Sequence, residues 1–155
     1  MKLNQLFEDI SVDDLKYITN NLNRKLYQNN KTLQHDNMIK LEIPTDAHFM
    51  DKLIQRQTKA NITLKEIEKL LIDVKVNPNF NCTKEITNLS RKSNIIDTTI
   101  IAQNPEKLII PLVVKPNKDC VNSVDNSSIG KDKNGKIVPK NIIVTKTIFR
   151  KGVRD

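Results

Sequence analysis

The chain has 155 residues, 37% of them hydrophobic, with 26 basic and 18 acidic side chains and a formal net charge of +8. That length suits one domain burying roughly two thirds of its unfolded surface, and four Phe, two Tyr and no Trp leave branched aliphatics to fill its core. So few aromatics argue against broad stacking platforms for bases or sugars, and no stretch approaches the ~20 apolar residues that cross a bilayer.

Charge is unevenly spread. Residues 116–155 carry nine positive and four negative side chains, so five of the eight net charges lie in the last 40 positions. A basic region of this kind favours an anionic partner, nucleic acid first. A solubilising surface in a lysine-rich, AT-biased composition is the competing reading. Cys82 and Cys120 have no Cys or His at metal-ligand spacing, so neither a metal nor any other cofactor is expected. Met1 to Ile10 lacks the basic start and apolar run of a secretion signal. These features predict a cytoplasmic protein with free thiols.

In chain order, residues 1–37 read as an N-terminal helical segment. A short amphipathic lead at 3–8 is followed by a helix over Ser11 to Tyr27, where Ser11 with Asp14 forms a capping box. Leu15, Ile18, Leu22 and Leu26 make a narrow apolar stripe that must dock on the rest of the fold or on a second copy. Gln28 to Asn37 reads as a polar break, and Met38 to Ile43 as a short strand ended by Pro44.

Pro44 to Val74 predicts two consecutive helices. The first carries His48, Lys52 and Arg56 four residues apart on one face, with Phe49, Met50, Leu53 and Ile54 on an apolar stripe. The second opens with Thr63 as N-cap, Glu66 completing a capping box, and Ile62 with Ile67 as a hydrophobic staple. Asn77-Pro78-Asn79 closes it, and a short helix capped by Thr83 follows over 83–92.

Ile95 to Ala102 and Leu108 to Lys115 read as a hairpin around Asn104 to Lys107, with a buried second strand. Pro111 implies an edge position or a bulge. Residues 116–139 form a long polar loop in which Asn134-Gly135 could close a type I′ turn. The final strand, Asn141 to Arg150, alternates in two competing registers. One buries Ile143 and Phe149, the other Ile142, Val144 and Ile148. Helices first and strands later give an α+β class: N-terminal helices packed on a small antiparallel sheet of three or four strands, in a single domain over 1–155.

His48 is the candidate with chemistry, because imidazole is matched to proton transfer near neutral pH and two cations lie on the same helix face. The alternative is a boundary histidine whose ring covers core. His35, in a polar stretch, is expected to be exposed. Lys146 and Arg150 share one face of the last strand, and with Lys151 and Arg154 form a basic sheet and tail. The three glycines match no nucleotide-binding fingerprint, and no serine elbow, Cys-His signature or paired-carboxylate site is present.

The segment HFMDKLIQRQ followed by ITLKEIEKLL resembles the helix pair of RegB/RelE-like phage endoribonucleases, of the barnase–EndoU–colicin–RelE group. The strand leading into Lys115-Pro116-Asn117 looks alike. The same helix start, with the ending IIVTKTIFRKG, is also similar to a group of uncharacterised small phage proteins. The resemblance implies helices on a small antiparallel sheet and metal-independent RNA cleavage leaving 2′,3′-cyclic phosphate ends. It also implies a host-cell cytoplasmic location. His48 matches the family's first catalytic histidine. The second falls on the following helix, where this chain has Glu68 or Lys69, so Lys52, Arg56, Arg150 or Glu68 would have to replace it. The expected partner is RNA, with Lys146, Arg150, Lys151 and Arg154 on its backbone. The alternative is a non-catalytic phage accessory or virion-associated protein that binds nucleic acid, a host protein or a second copy of itself.

Overall fold

The computed structural model describes residues 9–33, 39–124 and 126–155, with the backbone alone over 25–33. The amphipathic lead at 3–8, His35 and the start of the strand at Met38 lie outside these residues. The first helix among the described residues, α1 (Val12–Leu33), starts as its capping box requires: Asp14 N–H donates to Ser11 Oγ at 3.1 Å and Ser11 N–H to Asp14 Oδ2 at 2.9 Å. Leu15, Ile18 and Leu22 are buried along one stripe. The helix runs past the expected stop at Tyr27, because Gln28 to Leu33 contains neither Gly nor Pro to end it.

Three further helices follow: α2 (Ala47–Lys59), α3 (Leu64–Val76) and α4 (Thr83–Ser90). Asp46 caps α2 by accepting from Phe49 N–H, and Thr63 caps α3 by accepting from Glu66 N–H. Only half of the α3 capping box forms, since the Glu66 carboxylate is used elsewhere. The cap of α4 is Cys82, not Thr83. Its side chain gives no cap bond, and the Thr83 hydroxyl donates instead to the Asp73 carbonyl at the end of α3.

The strands of the main sheet are β1 (Lys40–Glu42), β2 (Thr98–Gln103), β3 (Leu108–Pro116), β7 (Asn141–Thr145) and β8 (Phe149–Arg150). Their order is β1-β7-β3-β2, with β8 pairing the start of β3. The class is α+β as expected, but the sheet is mixed: β1 runs parallel to β7, Leu41 opposite Ile143. The outer side of β1 is not left bare. The Asn23 amide of α1 donates to Leu41 C=O at 3.0 Å and accepts from Leu41 N–H at 2.8 Å, standing in for a neighbouring strand.

Leu108, Ile110, Leu112 and Val114 of β3 are fully buried. They point to the same side and meet Leu53 of α2, Ile67, Leu70 and Leu71 of α3, and Leu15 and Ile18 of α1 in one core. Each such side chain contributes about 1.5–3 kcal/mol through burial. Pro111 sits in this central strand, not at an edge. Its carbonyl accepts from Lys146 N–H at 2.9 Å, so its nitrogen faces the same side, where the partner changes from β7 to β8. No ladder donor is needed there, which removes the objection to proline.

The same interruption resolves the register of 141–150. The chain leaves the strand at Lys146 to Ile148, so Ile143, at 0%, and Ile148, at 1% exposure, both enter the core. An unbroken strand could not bury both. Residues 116–139, read as a polar loop, carry a second sheet, β4-β5-β6 (Asn122–Ser123, Ile129–Lys131 and Ile137–Pro139). Its Asp132 to Lys136 turn has only Gly135 at positive φ, +79°. Asp132 Oδ1 accepts from Asn134 and Lys136 N–H. That is a type I turn closed by a left-handed glycine, not type I′, which needs two positive φ values. Among the described residues no helix is long and apolar enough to cross a membrane.

Candidate nucleic-acid interface

Helix α2 sets the geometry. Phe49, Met50, Leu53 and Gln57 are buried against the core, which turns His48 outward and leaves Lys52 and Arg56 at the margin. His48 is exposed in the first turn, and its side chain has no hydrogen bond or ion pair with a described residue. Along the axis Arg56 lies about 12 Å from His48, with Lys52 midway.

Arg56 is fixed from two sides. Nη1 donates to Thr147 Oγ1 at 2.6 Å and to the Ile148 carbonyl at 3.1 Å. Nε and Nη2 donate to the two carboxylate oxygens of Asp155, at 2.7 and 2.9 Å. The guanidinium carbon is 5.9 Å from the centre of the Phe149 ring. Lys52 Nζ is 3.9 Å from Asp155 Oδ2. The hydrogen bond from Arg56, with the charges of Arg56, Lys52 and Lys59, holds the Asp155 carboxyl below its usual range. An oxyanion thus already rests on the cations of this face, although only the helical spacing of those cations was visible in the sequence.

Arg150, expected on an RNA backbone, has its donors turned to partners within the protein. Nε donates to Ala60 C=O, Nη1 to Glu66 Oε2 and Glu106 C=O, and Nη2 to Asn61 C=O and Glu66 Oε1. These five bonds use all five guanidinium donors, leaving none for a phosphate. Its seat at Ala60 is also about 18 Å along α2 from His48. Burial pushes the Glu66 carboxyl up, but hydrogen bonds from Arg150 and Asn104 and the Arg150 charge outweigh it and hold the group below its ordinary value.

Glu66 and Arg150 lie in a groove of about 1090 Å³ between the α2–α3 corner, α3 and the β2–β3 turn, rimmed by Lys59, Lys65 and Lys69. This groove lies at the far end of α2 from the imidazole. Glu68 of α3 is half-buried and unpaired among the described residues. Lys146, Lys151 and Arg154 are exposed, so they remain available to an anionic partner. Among the described residues no group of three or more His, Cys, Asp or Glu side chains could hold a metal ion.

The chain matches no family model, no curated protein and no solved structure.

Proposed function

We propose that the chain binds single-stranded RNA along the outer face of α2, in the manner of a RegB/RelE-like domain. One phosphate is seated on Arg56, and Lys52, Lys146, Lys151 and Arg154 attract the neighbouring backbone. The carrying observation is the two-bond seat that Arg56 gives to Asp155. A guanidinium held by Thr147 and Ile148 and presenting its Nε–Nη2 edge to an oxyanion suits a phosphodiester equally well. The +8 net charge supports association with a polyanion.

Exposure of His48 one turn from Lys52 favours a second reading, in which bound RNA is also cut. The imidazole would take the proton of a ribose 2′-hydroxyl as that oxygen attacks phosphorus and displaces the 5′-oxygen, which takes a proton from water as it leaves, with Lys52 stabilising the charge that builds on the phosphate. The products would be a 2′,3′-cyclic phosphate and a 5′-hydroxyl.

One experiment addresses both readings. A 5′-labelled single-stranded RNA is incubated in EDTA with wild type, His48→Ala, and the Lys52→Ala/Arg56→Gln pair. Binding along α2 predicts about tenfold weaker affinity for the pair. Cleavage predicts fragments from wild type that His48→Ala does not make. If wild type holds RNA no better than the pair does, the binding proposal fails. If RNA stays equally intact with wild type and His48→Ala, cleavage fails.

A further inference from the structure

Arg56 meets Asp155 along one edge only. Its Nη1 is committed behind that edge to the β7–β8 break, through Thr147 and Ile148. The plane of the guanidinium is therefore set by the fold and does not depend on the anion in front of it. A carboxylate and a phosphodiester each offer two oxygens that share one negative charge, and the Nε–Nη2 edge accommodates one such pair at a time. The two anions are mutually exclusive at this position.

The segment that delivers Asp155 is lightly held. Gly152, with φ of +86°, turns the chain after β8. Val153 N–H donates to Arg150 C=O at 3.2 Å and Lys151 N–H to Lys107 C=O at 3.0 Å. Residues 151–155 are all exposed, and the Asp155 side chain keeps 39% of its accessible surface while paired. A carboxylate so placed exchanges readily with another anion.

We propose that Asp155 is a built-in competitor for the phosphodiester seat on Arg56, so that RNA occupies the α2 face only as this carboxylate leaves. The inference rests on the RNA reading for its ligand and adds how access to that site is controlled. Affinity is then set by the difference between two anions on one guanidinium, and any event that draws Asp155 away raises it.

Two arms test this. In the first, RNA affinity is compared for wild type, Asp155→Ala and Asp97→Ala, the last removing an equal charge from an exposed position before β2. The expected result is a rise of about two- to fivefold for Asp155→Ala, the range of an exposed ion pair, and a smaller change for Asp97→Ala. Equal gains in the two variants would overturn the proposal. In the second arm, inorganic phosphate is titrated while the Arg56 Nε–H resonance is followed by NMR. Asp155→Ala should shift that resonance at lower phosphate than wild type, and identical titrations would overturn the proposal. If no form binds RNA, the RNA reading has failed, while the phosphate arm still decides whether Asp155 competes for Arg56.

Discussion

Arg150 joins four parts of the chain, and replacing it with methionine measures that junction. The side chain is 16% and that of Glu66 21% exposed, so water reaches the pair only in part. Arg150→Met removes the donors to Ala60, Asn61 and Glu106 carbonyls and leaves the Glu66 carboxylate with Asn104 Nδ2 alone. Stranding one partner of a fully buried pair costs about 3–5 kcal/mol. Allowing for partial exposure, the expected loss is about 2–4 kcal/mol. For a chain of this length that is a fall in Tm of roughly 5–15 °C.

The assay is urea unfolding with the slope of free energy against denaturant unchanged, so that a midpoint shift reports stability. The pH dependence has a definite sign. Glu66 has a folded pKa lowered from 4.5, so its pairing contributes above that unfolded value and is lost as pH falls through the folded one. The gap between wild type and Arg150→Met is therefore full at neutral pH and narrows below about pH 4.5. A gap under about 1 kcal/mol at pH 7, or one that persists undiminished in acid, would refute the reasoning. So would a folded Arg150→Met protein that has lost its RNA affinity, since that would make the guanidinium a phosphate ligand.

Other expectations follow from single contacts. Burial pushes the Cys82 thiol up to about 11, whereas Cys120 is only partly covered. A thiol reagent at pH 8 should label one cysteine quickly and the second only in denaturant, and two fast labels would contradict this burial. Asn141 Nδ2 donates to the carbonyls of Leu89, Ser90 and Lys92 around the end of α4. Asn141→Ala should cost about 1–3 kcal/mol in thermal melts and speed amide exchange in α4. A methyl at Gly130 would lie 2.3 Å from Cys120 Sγ and 2.4 Å from the Asn122 carbonyl oxygen. Gly130→Ala should therefore speed exchange at Val121 and Val124, whose N–H groups bond across β4–β5, and leave β3 protected.

Local chemistry was legible and long-range pairing was not. Ser11 with Asp14, Thr63 as N-cap and the 98–116 hairpin all act between residues close in sequence, where side-chain type and spacing carry the signal. Parallel contact of β1 with β7 joins Leu41 to Ile143, and no local pattern encodes such a partner. Pro111 misled because its cost depends on what lies opposite, here the gap at Lys146 to Ile148. Helical spacing placed His48, Lys52 and Arg56 together on α2. It could not show that Asp155 and Glu66, 99 and 84 residues from Arg56 and Arg150, take up those guanidinium groups.

The salt dependence of RNA affinity bears most directly on the proposal that α2 is the binding face. Single-stranded RNA loses affinity with a log–log slope of about −0.7 for each phosphate neutralised. Wild type should show a steep negative slope, and Lys52→Ala/Arg56→Gln, with two contacts removed, one shallower by about 1.4. Equal slopes in the two proteins, or a wild-type affinity indifferent to salt, would contradict the assignment of RNA to this helix.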